Sequence, residues 1–280
     1  MSAHPELSVI IVHYHTPELL RLCLRSLETN LKDLATEIFV IDSAAESDTK
    51  ETLAEEFPLV KYQPHQANLG YAAGVNHGLK QASGQYLLIL NPDIIIKPGA
   101  VQAMLAHLKT HPQVGLLGPK LLDFSGARQN SCFRFYRPLT IVYRRTFLGL
   151  LPFAKKALAK FNYQGELSTE AFYPDWLMGS ALLTTRDAVA KVGPMDESYF
   201  LYFEDVDWAH RFWENGYQVA YLPSVEVFHY HQRRSRAGLD ALDFILRREA
   251  RWHVRSGLKY FHKYGLQYRS GTDLAKTAHP

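Results

Sequence analysis

Three aspartates and a histidine occupy the places where an α/β chain exposes reactive groups. Asp42 ends the apolar run Glu37 to Asp42, and Asp93 follows the run Gln85 to Leu90 across an Asn91-Pro92 break. Asp205 opens a helical stretch, and His229 closes the run Val225 to Phe228. Open α/β sheets bind ligands off the carboxyl ends of their strands. A carboxylate at such a rim suits a divalent cation bridging two phosphates, which is the reading for Asp93. Asp42 can accept hydrogen bonds from a base or ribose, and His229 can complete metal ligation or hold a phosphate. Asp205 is expected to have its pKa held low by the positive helix end, and so to be ionised and ready to accept a proton from a hydroxyl. Plainer roles compete: Asp93 in an Asx-type turn, Asp205 as a helix cap, His229 as a core histidine. The tripeptide His-Tyr-His, at 13–15 and 229–231, lacks a Cys or third His at zinc-ligand spacing.

The elements that must position these groups alternate along the chain. Leu7 to Tyr14 is a continuous apolar run, as expected for a strand covered on both faces. Thr16-Pro17-Glu18 is a helix start, with Leu20, Cys23, Leu24 and Leu27 as the buried stripe. Strand Glu37 to Asp42, helix Asp48 to Phe57 and a brief strand Val60 to Tyr62 follow. Proline in Asn91-Pro92 offers no ladder donor and restricts the residue before it, so the central strand stops short of Asp93. Ile94 to Ile96 resume the apolar run, and Pro98-Gly99 opens a helix. Glycines at 70, 74 and 78 share one face of a helix between Asn68 and Gly84. That face allows tight packing on a sheet, and the helix start at Asn68 to Tyr71 also suits a diphosphate. Alternating strands and helices imply a mostly parallel sheet with right-handed crossovers.

Length and composition narrow the class. A chain of 280 residues with 47% hydrophobic content can bury a proper core and is not a disordered polymer. The formal charge of +3 gives no case for a nucleic-acid partner. Two cysteines make neither a disulfide framework nor a zinc cluster, so a reducing, cytoplasmic setting is expected. The first residues carry no basic leader with a cleavage site, and no apolar run reaches membrane-span length.

The segment Phe133 to Tyr163 interleaves Arg and Lys with aromatic residues. It reads either as a long insertion with a solvated basic face or as a contact for a membrane surface or lipid phosphate. Phe172 to Thr185 is strand-like, Gly193 to Phe203 an aromatic loop, and Glu204 to Glu214 a helix with an Asp207–Arg211 pair. Gln218 to Leu222 and Val225 to Phe228 read as short strands. Leu239 to Tyr264 reads as a basic helix with apolar positions at 241, 244, 245, 252 and 261.

The series EIFVID (37–42), NLGYAAGVNHG (68–78), YLLILNPD (86–93), DWLMGSALLTTRDA (175–188) and GPMDESYFLYFEDVDW (193–208) resembles family 2 glycosyltransferases, in particular the bacterial rhamnosyltransferase branch. The resemblance runs from about Leu7 to Ser235. It implies an α/β GT-A nucleotide-sugar fold: a mostly parallel mixed central sheet flanked by helices, with a C-terminal helical extension. The domain would span 1–235, nucleotide-binding over 1–120 and acceptor-side over 121–235, with a helical tail over 236–280. By the same resemblance Asp42, Val12, Tyr14, Asn68, Gly70 and Asp93 meet the nucleotide, and Asp93 and His229 meet Mg²⁺ or Mn²⁺. Asp205 would be the catalytic base, while Trp176, Gly179, Glu204 and Tyr202 line the donor or acceptor sugar. The implied reaction is inverting transfer from a nucleotide-diphosphate sugar, dTDP-rhamnose being the suggested donor. The acceptor would be a saccharide or lipid-linked saccharide in cell-surface polysaccharide synthesis, met in the cytoplasm with peripheral membrane contact. The chain departs from the family pattern at His15, at Ser43-Ala44-Ala45 and at Asn91, the first position of the DxD-type motif. Rival readings are a sugar-phosphate nucleotidyltransferase, for which Val12 to Glu18 offers no phosphate loop, and a non-catalytic carbohydrate-binding relative.

Overall fold

Apolar residues that alternate between two helical layers fix the architecture, described by a computed structural model for residues 4–166, 169–230 and 248–278. In chain order the strands are β1 (Leu7–His13), β2 (Thr36–Ser43), β3 (Lys61–His65), β4 (Tyr86–Leu90), β5 (Ile94–Ile96), β6 (Val114–Leu122), β7 (Cys132–Phe133), β8 (Trp176–Leu177), β9 (Ala181–Thr185) and β10 (Gln218–His229). The helices are α1 (Pro17–Asn30), α2 (Ser47–Glu56), α3 (Tyr71–Gln81), α4 (Ala100–Thr110), α5 (Pro138–Arg145), α6 (Pro152–Phe161), α7 (Arg186–Val192), α8 (Glu204–Glu214), α9 (Arg248–Tyr264) and α10 (Gly271–Ala278). A 3₁₀ turn, Phe147–Leu150, joins α5 to α6.

Among the described residues, eight strands form one sheet in the order β3-β2-β1-β4-β9-β6-β10-β5. The first four are mutually parallel. β9 enters antiparallel between β4 and β6, and β5 closes the far edge antiparallel to β10. The sheet is therefore mixed and mostly parallel, as expected. Its strand order reverses between β1 and β4, and Asp93 lies just beyond the end of β4, beside that switch point.

Alternation along each strand feeds two cores. Leu7, Val9 and Ile11 of β1, with Leu88 and Leu90 of β4, pack with the buried stripes of α1 and α4. Ile10, Leu87 and Ile89 point the other way, toward α3 and α8. Both faces are covered, so β1 and β4 read as unbroken apolar runs. The spaced glycines on α3 allow the close approach: a methyl at Gly74 would lie 2.7 Å from Val12 Cγ1 and one at Gly78 2.4 Å from Ile10 Cγ2. Glu37 ties the opposite end of the sheet together. Burial alone would raise its pKa, but hydrogen bonds from Lys61, Ser8 and Ser83 hold it at about 2.

Several boundaries differ from the sequence reading. β3 runs from Lys61 to His65 rather than from Val60 to Tyr62. β10 is a single strand whose register shifts between Leu222 and Glu226, the place where Pro223 can donate no ladder bond. The irregular-looking segment 133–163 folds as the α5–α6 helical hairpin. Of the tail helix, positions 241, 244 and 245 lie outside the described residues. In α9 Trp252 and Phe261 are half-buried, and the deeper contacts come from His253, Ser256 and Tyr260. Both cysteines are buried and free.

Ala44, just past β2, adopts φ 59°. A left-handed conformation costs an L-residue roughly 1–2 kcal/mol, part of which Gly recovers against its larger unfolded-state entropy. Ala44→Gly is therefore expected to stabilise the protein by about 0.5–1 kcal/mol, seen as a rise of roughly 1–3 °C in thermal midpoint.

Candidate active site

The site is assembled around the turn that connects β8 to β9. Asn91 N–H donates to the Ser180 carbonyl at 2.9 Å, which seats the Asn91-Pro92-Asp93 turn against it. On its other side, Gly179 N–H donates to Asp205 Oδ2 at 3.0 Å. The Tyr71 hydroxyl donates to the Gly179 carbonyl. Burial, then Glu204, Asp205 and Asp93, hold the Tyr71 pKa well above its ordinary value, so all three carboxylates bear on one phenol. Residues separated by more than a hundred positions thus meet at Gly179 and Ser180.

Asp93 lies beside His229, with 3.5 Å between its Oδ2 and Nε2. Its Oδ1 is buried and without a hydrogen-bond partner, and burial pushes its pKa up to about 6. Gln129 determines how His229 is presented. The Gln129 amide N–H donates to the His229 carbonyl at 2.9 Å, so its oxygen, 2.7 Å from Nδ1, must accept. In the neutral ring Nδ1 therefore carries the proton, and Nε2 turns its lone pair toward Asp93. A carboxylate and an imidazole lone pair on one side suit a cation, and a metal-ligating histidine usually has its other N–H held by an oxygen acceptor, the part that the Gln129 amide oxygen takes here. Among the described residues no cluster of three His, Cys, Asp or Glu forms a cation site. The pair fits Mg²⁺ or Mn²⁺, which keep waters and take phosphate oxygens alongside one or two protein groups.

The first turn of α8 carries three acids with three fates. Asp207 is fully buried and accepts from Arg211, Lys263 and Tyr264 at 2.9, 2.6 and 2.8 Å, which clamps α9 onto α8. Glu204 is buried with Oε2 unpartnered, and burial and then Asp205 raise its pKa well above the usual range. Loss of water thus disfavours its charged form. Asp205 is half-buried, accepts from Gly179 and Val206 N–H, and has its pKa raised to about 6 by burial. The expectation that the helix end would hold Asp205 low is thus corrected: loss of water outweighs the backbone donors and Arg144. Asp205 remains the anionic member at neutral pH.

Tyr202 and Phe203, which precede these acids, have φ of 68° and 70°. Bulky residues keep such conformations only where packing imposes them. Phe203 is held between the rings of Tyr136 and Tyr260 at 4.7 and 5.5 Å, and Ser256 Oγ donates to the Leu201 carbonyl at 3.0 Å. The other end of this loop docks on α3, where Tyr71 N–H donates to the Phe200 carbonyl at 3.1 Å.

Some assignments of the sequence reading change character. Asp42 is 1% exposed, and its oxygens accept from His13 Nδ1 and the Tyr62 hydroxyl, each at 2.7 Å. His13 Nε2 in turn accepts from Thr16 N–H at 3.0 Å, so Asp42 braces the start of α1 rather than presenting a carboxylate at the rim. Tyr14, 49% exposed, is the open ring at that end, and Val12 is half-buried against Gly74. The amides of Leu69, Gly70 and Tyr71 are taken by Ser43 Oγ, Asn68 Oδ1 and the Phe200 carbonyl. They are not free donors for a diphosphate. Trp176, expected to line a sugar, is a core residue: it stacks on Phe133 at 4.5 Å and donates Nε1–H to the Arg134 carbonyl. Tyr71, Gln129 and Ser180 were not singled out in the sequence. For Tyr71 the signal was its place at the start of the glycine-spaced helix, whereas nothing local marks Gln129.

Residues 8–154 match the model of the family described as glycosyl transferase family 2. The chain is 31% identical over 214 residues to N-acetylglucosaminyl-diphospho-decaprenol L-rhamnosyltransferase of Mycobacterium tuberculosis, covering 70% of this chain and 68% of that protein. It is 25% identical to rhamnosyltransferase WbbL of Escherichia coli K12, covering 77% and 76%. The fold is similar to GalNAc-T7 crystallised with UDP, GalNAc and Mn²⁺, with TM-score 0.64 and 15% identity over 99% of this chain and 54% of that longer one. A mannosyltransferase from Pyrobaculum calidifontis with GDP-Man and Mn²⁺ gives TM-score 0.60 and 17% identity, over 99% of this chain and 69% of that one.

Gly70 combines φ 78° with a Cβ position only 2.5 Å from the Phe200 carbonyl oxygen. Gly70→Ala should cost about 2–3 kcal/mol through strain and lost loop docking. Denaturant unfolding reads the loss, and protease cleavage near Phe200 should accelerate.

Proposed function

The chain belongs to glycosyl transferase family 2, and on that footing we propose that it moves a sugar, L-rhamnose from dTDP-rhamnose being the best reading, from a nucleotide-diphosphate donor to a saccharide or lipid-linked saccharide acceptor. The observation that carries this is the convergence of Asp93, Glu204 and Asp205 on Tyr71 and the Gly179–Ser180 turn. Relatives named as rhamnosyltransferases support the sugar, and the diphospho-decaprenol in one such name supports a lipid-linked acceptor. The nucleotide is assigned to the half formed by residues 1–120, where Tyr14 is open to a base, and the acceptor to the half from 121 to 235. The tail follows from 236. The setting is the synthesis of cell-surface polysaccharide at the cytoplasmic face of a membrane. The contact assigned there is peripheral; among the described residues no helix is long and apolar enough to cross a bilayer.

In this reading Asp205 takes the proton of the acceptor hydroxyl as its oxygen attacks the anomeric carbon from the face opposite the leaving nucleotide. The Gly179 N–H holds the carboxylate in place, and the neighbouring Glu204, kept neutral by burial, spares the site a second negative charge. Asp93 and His229 would hold Mg²⁺ or Mn²⁺, whose chemistry is to neutralise charge on the departing diphosphate. The aromatic loop ending in Tyr202 and Phe203 shapes the acceptor side.

Asp205→Asn should lower transfer about 10²- to 10⁴-fold while nucleotide-sugar binding, read by thermal shift, persists. A base works only when deprotonated, so with a pKa raised to about 6 the wild-type rate should climb through about pH 6 and level off above it. A flat profile from about pH 5 to about pH 8, together with an active Asp205→Asn, would remove Asp205 from the role. Gln129→Leu takes the orienting amide from His229 and should weaken Mn²⁺ activation roughly 10- to 100-fold. Titration calorimetry of Mn²⁺ in the presence of nucleoside diphosphate measures it.

A further inference from the structure

The exposed apolar surface of this molecule is unevenly distributed. Among the described residues, Leu139, Val142, Phe147, Leu150, Leu151 and Phe153 are six of the twelve exposed large hydrophobic residues, and all fall within one fifteen-residue stretch. Phe147, Leu150 and Phe153 are 65%, 62% and 60% exposed. They are not a frayed segment. α5, the 3₁₀ turn and α6 pack on one another, with the Tyr143 and Phe153 rings 5.9 Å apart. A folded hairpin that leaves its largest apolar groups outward is a docking surface.

The charge around this patch selects the partner. Between Asp123 and Glu166 the sequence has no acidic residue and eight cations: Arg128, Arg134, Arg137, Arg144, Arg145, Lys155, Lys156 and Lys160. Arg134 is paired with Glu166 at 2.6 Å. Lys155, Lys156 and Lys160 are exposed and make no ion pair among the described residues. Apolar groups at a hairpin bend with unneutralised lysines beside them match a bilayer interface, acyl boundary below and anionic headgroups above.

The hairpin also stands next to the acceptor side of the candidate site. A methyl at Gly257 in α9 would lie 2.8 Å from Ile141 of α5 and 3.4 Å from Phe203. The Arg145 guanidinium lies 5.7 Å from the Tyr202 ring. Tyr202 and Phe203 lead directly into Glu204 and Asp205. A surface that seats this hairpin therefore lies beside the loop that precedes the base.

We propose that the α5–α6 hairpin docks the protein on an anionic lipid surface, with Phe147, Leu150 and Phe153 entering the headgroup–acyl boundary and Lys155 and Lys156 meeting lipid phosphates. The proposal deepens the reading of a lipid-linked acceptor, and it rests on that reading for its purpose but not for its test. Vesicles without any acceptor report the surface alone, and donor turnover with a soluble acceptor reports the chemistry alone.

The experiment is co-sedimentation of the full chain with sucrose-loaded vesicles of phosphatidylcholine containing about 40 mol% phosphatidylglycerol, at about 0.05 M and about 0.5 M salt. Binding is expected to the mixed vesicles, weakly or not at all to pure phosphatidylcholine, and to fall with salt. Lys155→Glu with Lys156→Glu, and separately Phe147→Ser with Leu150→Ser, should each weaken partition about tenfold or more. Their circular dichroism and soluble-acceptor turnover should match wild type. As a readout independent of those changes, Phe153→Trp should shift its emission to the blue on mixed vesicles and be quenched by brominated lipid. No binding at low salt, undiminished binding by both double variants, or a tryptophan that stays water-exposed on bound protein would each overturn the assignment.

Discussion

A single turn, Gly179-Ser180, holds the candidate site together, because it is gripped from both halves of the sheet. Its Ser180 carbonyl accepts from the Asn91 amide beyond β4, and its Gly179 amide donates to Asp205 at the head of α8. The Tyr71 hydroxyl closes the arrangement from α3. Gly179 also needs to be small: a methyl there would lie 3.3 Å from the Tyr71 ring and 3.5 Å from Asp205 Cβ. β9, antiparallel between β4 and β6, is what brings this turn to the rim where the parallel strands end. That reversed strand gives the Asn91-Pro92-Asp93 turn and Asp205 a shared backbone contact in addition to Tyr71.

The electrostatics follow from the same crowding. Three carboxylates near one phenol cannot all ionise in a partly dehydrated space. Burial and Asp205 push Glu204 into its neutral form, and Asp93 sits at about 6 with one oxygen unpartnered. The fold tolerates this because the competing acids are satisfied elsewhere. Asp207 and Asp175 are buried but fully hydrogen-bonded, Asp175 by Phe135 N–H, Tyr268 and Gly271 N–H. These two acids anchor α9 and the start of α10, and α9 in turn supports the loop carrying Tyr202 and Phe203 through Ser256 and Tyr260. Stability is concentrated behind the site, and unsatisfied charge is left in front of it.

Some of this was readable from the residues in order. Unbroken apolar runs gave the covered strands, Asn91-Pro92 gave the break before Asp93, and the glycines at 74 and 78 gave the close packing of α3 on β1. The Asp207–Arg211 pair followed from helical spacing. Other assignments failed for one reason, that burial is not local. Asp42 looked like a rim carboxylate but is covered by His13 and Tyr62, and Trp176 looked like a sugar platform but lies in an aromatic core. The low pKa expected for Asp205 considered its own helix and not the residues packed over it.

Residue order by itself determined the layered α/β fold, the family, and which aspartates stand at chain breaks, since periodicity and backbone restriction act over a few residues. Tertiary structure alone decided which acids remain open and which serve the core. It also placed Gln129 behind His229, and Tyr71 among carboxylates drawn from distant segments. Those outcomes depend on desolvation and on hydrogen bonds between residues a hundred positions apart, and no local pattern encodes either.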